Sequence, residues 1–123
     1  MVFGIVFVVV GLLAWIPNPL VGAGAFFDTN VVHDLVHLVI GLVFLWVAFM
    51  APEKAAAAFK VIGVVYLLVA VLGFVLVPQG GAILGLVQTN MADHWLHVVL
   101  GIVIIAIGFS LPKGSSSSIA GAM

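Results

Sequence analysis

Apolar residues fall in four runs, 2–16, 35–51, 61–77 and 95–111, and none of them shows a polar face. A soluble amphipathic helix interrupts its apolar residues with charge at every turn or so. A segment that is apolar all round belongs in lipid or deep in a core. Taken strictly, the runs fall short of the roughly 20 residues that span a bilayer core, and their polar flanking turns close the gap. Breakers separate them: Pro17-Asn18-Pro19, Pro52, Pro78-Gln79-Gly80-Gly81 and Pro112. The pattern predicts helical spans at 2–17, 31–51, 57–77 and 91–111 in one domain, 1–113, with a flexible serine-rich tail over 114–123. Ala23-Gly24-Ala25 imitates a signal-peptide cleavage site, but no Lys or Arg precedes the first apolar run and such runs recur internally.

An internal repeat organises these spans. Residues 29–41, from Thr29-Asn30 to Gly41, align without gaps on 89–101, from Thr89-Asn90 to Gly101. The register continues from Phe49 to Phe109 and from Pro52 to Pro112. Gly4-Ile5-Val6-Phe7 likewise matches Gly63-Val64-Val65-Tyr66, one residue out of that register. The repeated unit is a helical hairpin. Two spans per unit return the chain to the side where it began, so the two units are parallel repeats about an axis along the membrane normal. The predicted fold is therefore all-α, a four-helix transmembrane bundle of two parallel-repeated helical hairpins.

Composition sharpens the picture. The 123 residues are 66% hydrophobic and 6% charged, with net charge −1, against roughly 25% charged in an ordinary soluble domain. Three basic and four acidic residues cannot give a body of this size an aqueous surface, so the bilayer is the first expected partner. There is no Arg and no basic patch, which excludes nucleic acid. There is no Cys, which excludes thiolate metal sites and cysteine catalysis. The serines are Ser110 and the tail, and phosphate-cradling loops are missing, so neither a hydrolase nor a transferase is expected.

Lys54, Lys60 and Lys113 all fall on the side of the two termini. By the positive-inside rule that side is cytoplasmic, in a multi-pass plasma-membrane protein whose spans two and four begin at the opposite face.

All four histidines and two of the three aspartates lie in the matched segments: His33, Asp34, His37 and Asp93, His94, His97. Ionisable groups in membrane helices normally face the bundle interior. Spacing of four puts His33 with His37, and Asp93 with His97, within about 40° on a helical wheel. Gly41 and Gly101 follow one turn later, and Gly4 and Gly63 occupy corresponding places in the other spans, a stripe of small residues suited to close helix packing. Matched positions approach across a two-fold axis, so the expected meetings are His33 with Asp93, Asp34 with His94, and His37 with His97.

Several readings fit this constellation. In the first it is a structural polar clamp, with Asn30 and Asn90 capping spans two and four, Asp93 at the third position as in a capping box, and the imidazoles bonding between helices. In the second His33, His37, Asp93 and His97, with Asp34 and His94 secondary, hold one transition-metal ion such as zinc, iron or copper. Haem or quinone binding is a third, weakened for haem by the lack of a Lys or Arg on that side to meet propionates. The last is an accessory subunit of a larger membrane complex or a homo-oligomer, suggested by the small size.

The motifs Gly63-Val64-Val65-Tyr66, Leu72-Gly73-Phe74 and Asn90-x-x-Asp93-x-Trp95-Leu96-His97-x-x-Leu100-Gly101 resemble the bacterial membrane family catalogued as domain of unknown function four-three-eight-three. Asn30-x-x-His33-x-Leu35-Val36-His37-x-x-x-Gly41 is similar to that family's first-half motif. The resemblance implies a small four-span plasma-membrane protein with no assigned activity and no catalytic residue to carry over. The family usually has Asn where this chain has Asp34 and His94, so a family-wide role for that pair is not implied.

Overall fold

The computed structural model describes residues 1–111; the serine-rich tail expected at 114–123 lies outside them. Four helices carry the fold: α1 (Val2–Leu13), α2 (Val31–Met50), α3 (Ala55–Leu76) and α4 (Met91–Ser110). A 3-10 turn, Pro52–Lys54, leads into α3. Three segments, Val31–Met50, Pro52–Leu76 and Met91–Ser110, are long and apolar enough to cross a membrane.

The first helix is shorter than the expected 2–17. It stops at Leu13, giving about 18 Å of helix at 1.5 Å per residue. Its end is set by Asn18, which stands between two prolines that cannot continue the hydrogen-bond ladder. The Asn18 side-chain NH2 donates to the carbonyls of Leu13, Ile16 and Val21 at 2.9, 2.7 and 3.0 Å. Its Oδ1 accepts from the amides of Leu20 and Val21, both at 2.9 Å. One half-buried side chain thus serves five contacts with backbone groups that the broken helix leaves open.

Two short strand pairs, which the apolar pattern did not predict, occupy the loops at one end of the bundle. β1 (Val21–Gly22) pairs with β2 (Phe27–Asp28), and β3 (Gly81–Ile83) pairs antiparallel with β4 (Val87–Thr89). Strands of two or three residues are too short to leave an alternation in the sequence.

The glycines bring helices together within each hairpin. A Cβ on Gly4 would stand 2.7 Å from the Leu45 side chain, and one on Gly41 2.8 Å from Val8, so α1 and α2 touch through them. In the second hairpin a Cβ on Gly63 would meet the Ile105 backbone at 2.7 Å, and one on Gly101 the Leu67 side chain at 2.7 Å. The stripe of small residues thus packs α1 on α2 and α3 on α4 through Gly41 and Gly101. They admit α1 and α3, and α2 meets α4 through the rings of His33, His37 and His97.

Toward the end that carries the 3-10 turn, Phe44, Phe59 and Ile104 form a fully buried core. Phe44 and Phe59 lie 5.4 Å apart between ring centroids, and Phe3 meets Phe59 edge-on at 5.5 Å. Phe7 and Tyr66 form the next layer, and the histidines stand above them, beneath the strand pairs.

Candidate metal centre

Two asparagines begin the helices that carry the histidines. Asn30 caps α2 by accepting from the His33 amide at 3.0 Å, and Asn90 caps α4 by accepting from the Asp93 amide at 3.0 Å. Each also donates across the molecule: Asn30 Nδ2 to the Leu86 carbonyl at 3.0 Å, and Asn90 Nδ2 to the Phe26 carbonyl at 2.8 Å. Gln88 Nε2 adds a 2.8 Å bond to Asp28 Oδ2. The first turn of each helix is thereby fastened to the loop that precedes the other.

His33 and Asp93 occupy the same position after their caps, and their chemistry diverges there. Asp93 Oδ2 accepts from the Asn90 amide at 2.9 Å, which closes a capping box. The His33 ring does not close such a box and turns outward from its own cap to the Gln88 carbonyl, 2.6 Å from Nδ1. A carbonyl oxygen only accepts, so Nδ1 carries the proton and Nε2 is left with a lone pair.

His33, His37 and His97 converge. All three are buried, and one ring nitrogen from each lies within 4.8 Å of the other two. His33 stacks on His37 at a centroid separation of 4.8 Å and 21° between planes. His97 completes the group at 5.6 Å from His33 and 6.3 Å from His37. Below them Phe7 stacks on His37 at 5.6 Å, and Tyr66 lies 5.5 Å from His97 with its hydroxyl 3.3 Å from His37 Nδ1. Nδ1 of His97, a residue 2% exposed, has no hydrogen-bond partner.

Three expectations change against this geometry. Asp93 is buried nearby, but it stands outside the group of converging ligand atoms because its carboxylate is held by the cap. Asp34 and His94 are both buried without pairing. His94 turns into its own hairpin, where Nε2 donates to the Val77 carbonyl at 2.8 Å, past the end of α3, and the ring packs against Gly73 and Phe74. The meeting of His33 with Asp93 is replaced by that of His33 with His97. Tyr66 and Phe7, which line the cluster, were not singled out as site residues. The signal for them was the weaker repeat, where Phe7 aligns with the chain's single tyrosine.

The arrangement defines a class: a mostly helical protein with three membrane-length apolar helices and a buried three-imidazole cluster between α2 and α4. A family model described as "Domain of unknown function (DUF4383)" matches residues 1–110, and the chain belongs to that family. No curated protein and no solved structure matches it.

Proposed function

We propose that this is a four-span protein of the bacterial plasma membrane, built as two parallel-repeated hairpins, that holds one transition-metal ion between them on His33, His37 and His97. The observation that carries the reading is the convergence of three buried ring nitrogens within 4.8 Å. Three neutral imidazoles suit zinc, iron or copper. Nitrogens 2.0 to 2.1 Å from a tetrahedral ion stand about 3.4 Å apart, so small rotations of three side chains would close the site. The His33 Nδ1 bond to a backbone carbonyl is the kind of outer contact that fixes a ligand's tautomer and aims Nε2 inward.

A purely structural role for the imidazoles is the weaker account. The clamp between halves is made by Asn30, Asn90, Gln88 and the single His33 bond to the Gln88 carbonyl, which leaves His97 Nδ1 with no partner and His37 Nδ1 with one long contact. Buried polar atoms are costly unless satisfied, and an ion would satisfy ring nitrogens that the clamp does not use. Support for the repeat comes from the mirrored cross-bonds of Asn30 and Asn90, 60 positions apart in the alignment. Lys54 and Lys60, beside the 3-10 turn, support a cytoplasmic position for that end and an outer position for the histidine end.

Elemental analysis of gently purified protein tests this directly. About one zinc, iron or copper per chain is expected, lost on replacing any of the three histidines with alanine. Metal-free protein whose thermal stability ignores all three ions would overturn it. Fixed-stoichiometry co-purification of such ion-free protein with larger membrane proteins would mark it instead as an accessory subunit.

A further inference from the structure

Two clefts of about 220 Å³ each open beside the histidine cluster. One lies between α1 and α4, walled by Val6, Val10, Leu96 and Leu100, with Phe7 and His37 at its base. The other lies between α2 and α3, walled by Val36, Ile40, Val65 and Val69, with His33, His37, His97 and Tyr66 at its base. They are counterparts in the repeat, since Val36 aligns with Leu96, Ile40 with Leu100, and Tyr66 with Phe7. Their chemistry differs at the base. Phe7 lines the first cleft where Tyr66 lines the second, and only the second is roofed by the strand pair, through Ile83, Leu84 and Val87.

The geometry points to the α2–α3 cleft as a binding site for the head of a membrane-dissolved quinone, with a quinone carbonyl accepting a hydrogen bond from the Tyr66 hydroxyl. The occupant must come from the bilayer, because the mouth is flanked by exposed Val36, Val65, Leu72 and Leu84. Its head must be neutral: among the lining residues there is no Lys or Arg to meet a carboxylate or a phosphate. It must also be small and flat. A 150 Å³ apolar cavity takes benzene, so this cleft has room for one substituted six-membered ring, with the tail left in lipid.

The hydroxyl has a proton to give. A phenol donates once and can accept as well. With His37 Nδ1 as the donor in its 3.3 Å contact, Tyr66 keeps its O–H for the cleft while His37 Nε2 remains a ligand. The quinone site therefore goes beyond the metal reading and does not require the ion.

The test uses full-length, chelator-washed protein in lipid nanodiscs, titrated with a decyl-tailed ubiquinone, with decanol as the matched tail. Metal content then has no bearing on the result. Saturable binding that decanol does not displace is expected. Tyr66→Phe should weaken it about fivefold to tenfold, the worth of one neutral hydrogen bond. Val69→Trp, which fills the cleft, should abolish it, and Val10→Trp in the counterpart cleft should leave it unchanged. Uptake that never saturates, or that Tyr66→Phe leaves untouched, would overturn the proposal. Equal losses in Val69→Trp and Val10→Trp would overturn the choice of cleft.

Discussion

Asn30 and Asn90 perform the same two tasks in opposite directions: each caps its own helix with the side-chain oxygen and holds the other half's loop with the side-chain nitrogen. The tasks are separable by chemistry. Replacing either asparagine with aspartate keeps the cap acceptor and removes the crossing donor, whereas alanine removes both. Alanine is expected to cost about 1 kcal/mol through the cap alone, and a further loss from the stranded Leu86 or Phe26 carbonyl. Thermal unfolding in detergent should rank each set wild type, aspartate, alanine.

Asp93 is the residue on which the ligand set turns. Its carboxylate bonds to the Asn90 amide, and an asparagine side chain can accept the same bond. Asp93→Asn is therefore expected to leave the ion stoichiometry unchanged, while His97→Ala abolishes it. Parallel elemental analysis of the two variants decides whether the fourth position belongs to Asp93.

Gly63 lies where two helix backbones nearly touch. A methyl there would meet the Ile105 amide nitrogen, Cα and Cβ, all within 2.9 Å, and backbone cannot swing aside as a side chain can. Alanine gains up to about 1 kcal/mol in helix propensity, but overpacking costs typically 1–3 kcal/mol. Gly63→Ala should lower the unfolding temperature. Gly4→Ala meets mainly the end of the Leu45 side chain and should be the milder change.

The two ends of the bundle should differ in access. Phe26 is 63% exposed beside the strand pairs, and Glu53 is exposed at the opposite end. An impermeant maleimide applied to intact cells is expected to label Phe26→Cys, and to reach Glu53→Cys only after lysis. The reverse pattern would invert the proposed orientation.

Much of this was legible in the amino-acid pattern, for reasons that differ by residue. Asn30 and Asn90 announced two helix starts because a side-chain acceptor at that place fills an orphan amide. The four-residue spacing aimed His37 and His97 inward. The neighbours of each glycine were not legible, because a small residue records that something comes close and not which helix it is. Asp93 was open to two readings for a related reason: a carboxylate three residues after an asparagine serves a cap as readily as an ion, and only the direction of its oxygen, here toward the Asn90 amide, separates the two. The crossing bonds to Leu86 and Phe26 fall on backbone carbonyls, which every residue has and which leave no trace in the sequence.

The break after Leu13 has a consequence for the bilayer itself. In the proposed four-span arrangement, some 18 Å of α1 would face a hydrocarbon layer of about 30 Å, a mismatch that ordinary spans relieve by thinning the lipid or tilting. Here the chain continues as an irregular segment whose Trp15, Ile16, Leu20 and Phe26 are exposed and apolar. Irregular backbone survives at such depth only when its polar groups are met from within, and Asn18 supplies those contacts. That one amide stands in for the water the segment would otherwise need. Asn18→Leu, which keeps the bulk and removes the bonds, is expected to drive the segment toward the headgroups and to thin the membrane on that flank.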